Sequence, residues 1–180
     1  MNSLLMVLML GLGSVSPTVR PSDRLPPVRP PDRLSVRQTG ITVGSPAPAL
    51  TINDLDGKPV ALGQFIGKKP VYLQFWATWC EVCEALLPQV KTVAAKYRGE
   101  VEFIGINVTV NQSEARVRRY VAEHQPPFRV LWDDKGVSIR GYDVPGTSYV
   151  VIVDRQGKVA YTGFGKDQDL GAALKKVVGR

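Results

Sequence analysis

The stretch VYLQFWATWCEVC, Val71 to Cys83, changes character half-way along, and the change decides the fold. Val71 to Trp76 is a short run of apolar, β-branched and aromatic residues around Gln74, too short for a helix and typical of a buried strand. From Cys80 onward the spacing is helical, with Leu86, Leu87, Val90, Val93, Ala94 and Tyr97 on one side. Pro88 lies inside this helix, where its missing N–H favours a kink. The only two cysteines of the chain therefore stand one turn apart, where a buried strand hands over to a helix.

Outward from that junction the same two periods alternate. Before it, ALTINDLDGKPVAL (49–62) places two apolar stretches around Asp56-Gly57, a hairpin signal, and residues 63–67 suggest a short helical turn. After it come a second buried strand (101–108), a helix opened by Ser113 (113–124), and strands at 128–132 and 148–154. Asp154 to Gly157 then turns the chain into a strand at 158–164, and a helix spans 169–178. Helices between strands imply parallel pairs, and the late hairpin implies an antiparallel edge. The expected class is α/β, a central mixed sheet flanked by helices with an N-terminal β-hairpin extension.

The 180 residues divide into three parts. Residues 1–16 carry no charge, and the apolar run Leu4 to Leu12 has the length of a signal-peptide core, short for a membrane span. A signal peptide or short N-terminal anchor is expected there. Residues 17–40 form a Pro/Arg-rich linker containing the imperfect repeat VRPSDRLPP/VRPPDRLSV; so much proline favours extended conformations over a core. Residues 41–180 make the globular domain, about 140 residues that bury a normal core without staples. The formal charge is +7, of which five Arg and two Asp in the linker supply +3. No basic cluster interleaved with aromatics and no nucleic-acid motif occurs, so nucleic acid is not an expected partner.

A domain of that size does not need a disulfide to fold, so a disulfide here is more plausibly used than structural. Cys80 at a helix start meets unpaired backbone N–H groups and the positive end of the helix dipole, which stabilise a thiolate. Cys83, one turn later, is placed to reach the same sulfur. One thiolate can attack a partner's disulfide, and the second can resolve the mixed disulfide. A closed zinc site lacks ligands, since the chain has one His, at 124, and no further Cys. Two inert core cysteines, or a two-coordinate Cu(I) site, remain as alternatives. Redox exchange is the reading preferred, with no cofactor and no resident metal. Peroxide reduction fails on sequence, because Leu73 and Ala77 occupy the Pro and Thr/Ser positions of the peroxiredoxin pattern.

FWATWCEVC with Pro88 resembles the active-site helix of thioredoxin-like proteins. The segments VGSPAPALTINDLDGKPVALGQFIGKKPVYLQFWATWC and FRVLWDDKGVSIRGYDVPGTSYVVIVDRQGKV resemble the TlpA/ResA-like thiol–disulfide oxidoreductases, of AhpC/TSA–redoxin type, from about Val43 to the C-terminus. The resemblance implies a thioredoxin fold and an exported or membrane-tethered protein. It implies Cys80 as attacking and Cys83 as resolving thiol, with Trp79 and Pro88 as supporting residues. It further implies protein disulfide or dithiol partners, such as apocytochrome c or copper-site thiols, and an upstream electron-donor protein. An extracytoplasmic monomer is expected, and a copper-handling or thioredoxin-like binding module is the alternative.

Two residues depart from that pattern. The family's cis-proline position falls on Ser148 in VPGTS, so Thr147–Ser148 is expected trans, in a loop (Thr147, Ser148) that would meet the partner. Gln74 replaces a buried acid or Asn and cannot accept a proton as a carboxylate does. Glu81 is expected either as a solvated side chain or as a charge that raises the Cys80 pKa and makes the pair more reducing. Trp76 and Trp132 are expected in the core, and His124 as a cap or a solvated side chain.

Overall fold

A computed structural model describes residues 40–179. The signal peptide or anchor at 1–16, and the linker save Gly40, lie outside the described residues. Strands β1 (Thr51–Asp54), β2 (Pro59–Ala61) and β3 (Val71–Trp76) precede α1 (Glu81–Lys96), β4 (Glu102–Asn107) and α2 (Glu114–His124). Then follow β5 (Arg129–Trp132), α3 (Val137–Gly141), β6 (Tyr149–Val153), β7 (Val159–Phe164) and α4 (Leu170–Val178). One mixed sheet has the order β2-β1-β5-β4-β3-β6-β7.

The central position of β3 explains its composition. It pairs parallel with β4 and antiparallel with β6, and all six of its residues are buried. A strand covered on both faces needs apolar side chains on both. Tyr72, Gln74 and Trp76 share a face with Phe103, Gly105 and Asn107, their register partners on β4. Leu86, Val90 and Val93 of α1 and Leu170 and Leu174 of α4 pack against Tyr72 and Phe103 on that face. Leu73, Phe75, Ile104 and Ile106 turn to the other face, packed with Leu62, Leu131 and Val151. Helix α1 runs unbroken through Pro88, which lies on its exposed side.

The hairpin β1–β2 extends the sheet by joining β5, antiparallel. Its turn and the β6–β7 turn share the sequence D-x-x-G-K. Asp54 accepts from the N–H of Asp56 and Lys58, and Asp154 from that of Gln156 and Lys158, each at 2.9 Å. Gly57 and Gly157 take the positive φ that closes each turn.

Helix α3 has no counterpart in the sequence reading. Five residues are too few for a period to show, and the cause is a side chain: Asp133, 1% exposed, accepts from the N–H of Val137 at 2.8 Å and of Ser138 at 2.9 Å.

Gly105 has a packing reason to be glycine. A Cβ there would stand 2.2 Å from Cε2 of Phe128, whose ring covers the strand. Gly105→Ala is expected to lower unfolding stability by about 2 kcal/mol in urea titrations. Wild-type stability would mean that Phe128 withdraws freely.

Candidate active site at the Cys80–Cys83 pair

The turn Ala77-Thr78-Trp79 carries the chain from β3 into α1, with the Cys80 N–H donating to Ala77 O at 3.2 Å. Cys80 is the N-cap of α1, with extended backbone, and its sulfur accepts from the Cys83 N–H at 3.1 Å. The two sulfurs are bonded at 2.06 Å, with 5.2 Å between the Cα atoms. Helix geometry thus places the second cysteine within reach of the first and aims a backbone donor at Cys80 Sγ. When the bond is open, that donor and the helix dipole favour a thiolate there. Exposure does not rank the sulfurs, at 7% for Cys80 and 5% for Cys83; the N-cap position does. Glu81 and Glu84, both exposed, occupy the same first turn.

Trp79 is 42% exposed, and its indole N–H donates to Val110 O at 2.7 Å. Gln112 Oε1 accepts the Thr78 N–H at 3.0 Å. The loop supplying both acceptors holds Thr109 and Asn111 at positive φ, a strained arrangement for residues with a Cβ. An apolar cleft of about 210 Å³ opens beside Trp79, lined also by Val108, Val110, Ile139, Val144 and Thr147. Val82, Val110 and Phe164 are likewise large apolar side chains left exposed. An exposed apolar surface at the cleft beside Trp79, the residue before Cys80, suits a protein partner. Thr147 borders the cleft, whereas Ser148 is fully buried. No peptide bond among the described residues is cis, Thr147–Ser148 included.

Beneath the disulfide, Cys83, Gln74, Trp76, Tyr120 and Phe128 line a cavity of about 10 Å³. Gln74 is 2% exposed, and its Oε1 accepts from the Tyr72 hydroxyl at 3.0 Å. Burial holds the Tyr72 phenol well above its ordinary pKa. Neither group is a proton acceptor for Cys83 at neutral pH. Trp76 is core, its ring 5.2 Å from Tyr120 and 5.9 Å from Phe128, and Trp132 is half-buried against the same core. Of the two expectations for His124, the structure shows a cap-type contact, with Nδ1 3.1 Å from Tyr120 O, and adds others. Its ring stacks on Tyr120 at 4.0 Å, Nε2 lies 3.8 Å from Glu84 Oε1, and its carbonyl accepts from Lys91 Nζ at 2.8 Å. These contacts tie α2 to α1 beside the cysteines. Sequence reading missed Val110, Gln112 and Tyr120, which carry no motif and come to the site only through the turns around them.

Comparison with known proteins places this geometry. The sequence model of the Redoxin family matches residues 42–177. ResA of Bacillus thuringiensis subsp. konkukian (strain 97-27), a thiol–disulfide oxidoreductase, is 31% identical over 144 residues, 78% of this chain and 82% of the relative. The thioredoxin-like protein YneN of Bacillus subtilis (strain 168) is 30% identical over 143 residues, covering 79% of each. A Chlorobium tepidum crystal structure, assigned as the thiol:disulfide interchange protein DsbE, superposes with TM-score 0.69 at 27% identity. It covers 77% of this chain and 99% of that one.

The Gln74 site has a pH signature. A carboxyl introduced by Gln74→Glu is pushed up by burial, so its folded pKa exceeds the unfolded value of about 4.3. The variant's stability is then intact below about pH 4 and falls by about 3 kcal/mol as pH rises through the folded pKa. Urea unfolding of the oxidised variant at acid and alkaline pH reads this; an equal fall in Gln74→Leu would contradict it.

Proposed function

The chain belongs to the Redoxin family, and from that premise we propose that it is a thiol–disulfide oxidoreductase that reduces disulfides of partner proteins outside the cytoplasm. The observation that carries the reading is the Cys83 N–H donating to the sulfur of Cys80 at the N-cap of α1. In the dithiol form, the Cys80 thiolate attacks one sulfur of the partner's disulfide. A mixed disulfide forms, and the partner's other sulfur leaves as a thiolate that takes up a proton. Cys83 then gives up its proton and attacks Cys80 Sγ, and the partner's first sulfur leaves. Two electrons pass to the partner, whose two sulfurs take up one proton given by Cys83 and one from solvent, and this chain is left with its Cys80–Cys83 disulfide. A dithiol donor protein must return it to the reduced form.

The exposed apolar side chains around Trp79 support a protein partner, and the apolar run Leu4 to Leu12 supports export or an N-terminal tether. The relatives named as a thiol–disulfide oxidoreductase and a thiol:disulfide interchange protein support exchange with protein disulfides, and the partners proposed among these are the ones the sequence resemblance implies, in cytochrome c maturation or copper-site assembly. Glu81, exposed in the first turn, supports the reducing direction, because its charge opposes a thiolate at Cys80. Trp79 shapes the approach to Cys80, and Pro88 lies in the same helix.

The reading makes two demands on experiment. Insulin-disulfide reduction is lost in Cys80→Ser, by at least about a hundredfold, while Cys83→Ser accumulates a mixed disulfide identifiable by mass spectrometry. Activity surviving in Cys80→Ser would sink the reading, and copper uptake by an inactive wild type would turn it to metal handling. Glu81→Gln, by removing a negative charge near Cys80, lowers that thiol's pKa and raises the potential. The shift expected is about 10 mV, a fraction of the roughly 30 mV that a tenfold change in equilibrium constant requires. A fall in potential would contradict the role given to Glu81.

A further inference from the structure

β3 enters the sheet at Val71, the end away from the cysteines, and its neighbours bring their own turns to that level. Val71 pairs with Glu102 of β4 on one side and Val153 of β6 on the other, and Val153 pairs with Val159 of β7. These turns are basic. Lys68 and Lys69 lead into β3, Lys96 and Arg98 close α1 before β4, and Arg155 and Lys158 lie between β6 and β7. Arg129 reaches the same end from β5, with its Nε 3.9 Å from Glu102 Oε1. All of these cations except Lys69 are exposed. The acids at this end are fewer and mostly engaged. Lys69 Nζ holds Glu102 at 2.6 Å, Asp154 caps its own turn, and Glu100 is the exposed one.

The cysteine end is mixed and on balance acidic. Glu81, Glu84, Asp134, Asp143 and Asp167 stand there against Lys135, Arg140 and Lys166. At the start of α2, Glu114 is offset by Arg116. The strand β3 separates the two ends by roughly 20 Å, about twice the screening length in physiological salt, so the acidic end does not cancel an attraction felt at the basic one.

Basic residues on turns are ordinarily a solvated surface, and two observations give these a partner. Arg98 and Arg129 rim an open cleft of about 520 Å³ lined also by Val101, Phe103, Pro127 and Phe128, so the cations border apolar surface. Cations beside apolar surface suit an amphiphile with an anionic head. The apolar run Leu4 to Leu12, expected to act as a signal or an anchor, would bring the chain to a membrane. We propose that the Val71 end of the sheet is a docking face for an anionic lipid surface, and that it holds the domain with its cysteine pair turned away from the lipid. Residues 17–40, roughly 75 Å long if extended at about 3.1 Å per residue, are too long a tether to choose between the two ends. Charge makes the choice.

This inference does not depend on the dithiol chemistry, and its test reads lysines instead of sulfur. The full chain is added to vesicles of phosphatidylcholine alone or mixed with phosphatidylglycerol, and its lysines are acetylated and quantified by mass spectrometry. On the anionic vesicles Lys68, Lys96 and Lys158 are expected to be protected at least about threefold more than Lys135 and Lys166. The difference is absent on phosphatidylcholine and lost in about 1 M salt, where the screening length is about 3 Å. Each Lys or Arg near an anionic surface favours binding by up to about fivefold, so Lys68→Gln, Lys96→Gln and Arg98→Gln together lower the preference for anionic vesicles at least about tenfold. Lys135→Gln with Lys166→Gln leaves that preference within about twofold, and circular dichroism checks that both variants fold. Equal protection of the two ends, the same protection on phosphatidylcholine, or a folded triple variant that keeps its preference would overturn the proposal. Stronger protection by polyglutamate than by vesicles of equal charge would also overturn it, giving the face to an acidic protein.

Discussion

The contact between the Cys83 N–H and the Cys80 sulfur exists because a buried strand delivers its next residues to the first turn of a helix. Moving Cys80 one residue into α1 would give its own N–H and dihedrals to the helix and turn its sulfur away from the open donors. Moving it one residue back would put it out of reach of Cys83. The rest of the molecule secures that junction. β4 and β6 flank β3 on either side, and Tyr72 and Phe103 seat α1 on the sheet. The 108–112 loop fixes Thr78 and Trp79 through Gln112 and Val110, so the turn before Cys80 is held from outside as well.

Much of this was legible in the residues. The buried strands 71–76 and 101–108 and the helices around them show as changes of hydrophobic period, because each is long enough to repeat. The D-x-x-G-K turns show because an Asx contact and a positive-φ glycine leave a local signature. Elements held by distant partners leave none. Val110 and Gln112 meet Trp79 and Thr78 from 31 and 34 residues away, through a loop of strained residues, whereas helix α3, held locally by Asp133, is too short to show a period. His124 illustrates the same limit: its neighbours in sequence suggest a helix end, while Glu84 and Lys91, which face it in space, lie on another helix.

The two departures from the family pattern have different physical consequences. At Gln74 the side chain is the issue: it is buried in the cavity shared with Cys83, accepts from the Tyr72 hydroxyl, and cannot take a proton as a carboxylate does. At Ser148 the side chain is minor and the backbone is the issue: an N–H is present, φ is positive, and Gln168 from the β7–α4 turn donates to its carbonyl. The first concerns a side chain beneath Cys83, and the second concerns the backbone that leads into β6.

The central claim is that Cys80 and Cys83 form a reversible couple whose reduced form is a thiolate-bearing dithiol. Equilibration of the purified chain with graded ratios of reduced to oxidised glutathione, followed by acid quench and thiol alkylation, measures it directly. The account predicts a single two-electron transition between species carrying two and no alkylated cysteines, at a potential more reducing than the glutathione midpoint. A pair that stays bridged under excess dithiothreitol, or one that never closes under excess oxidised glutathione, would contradict it.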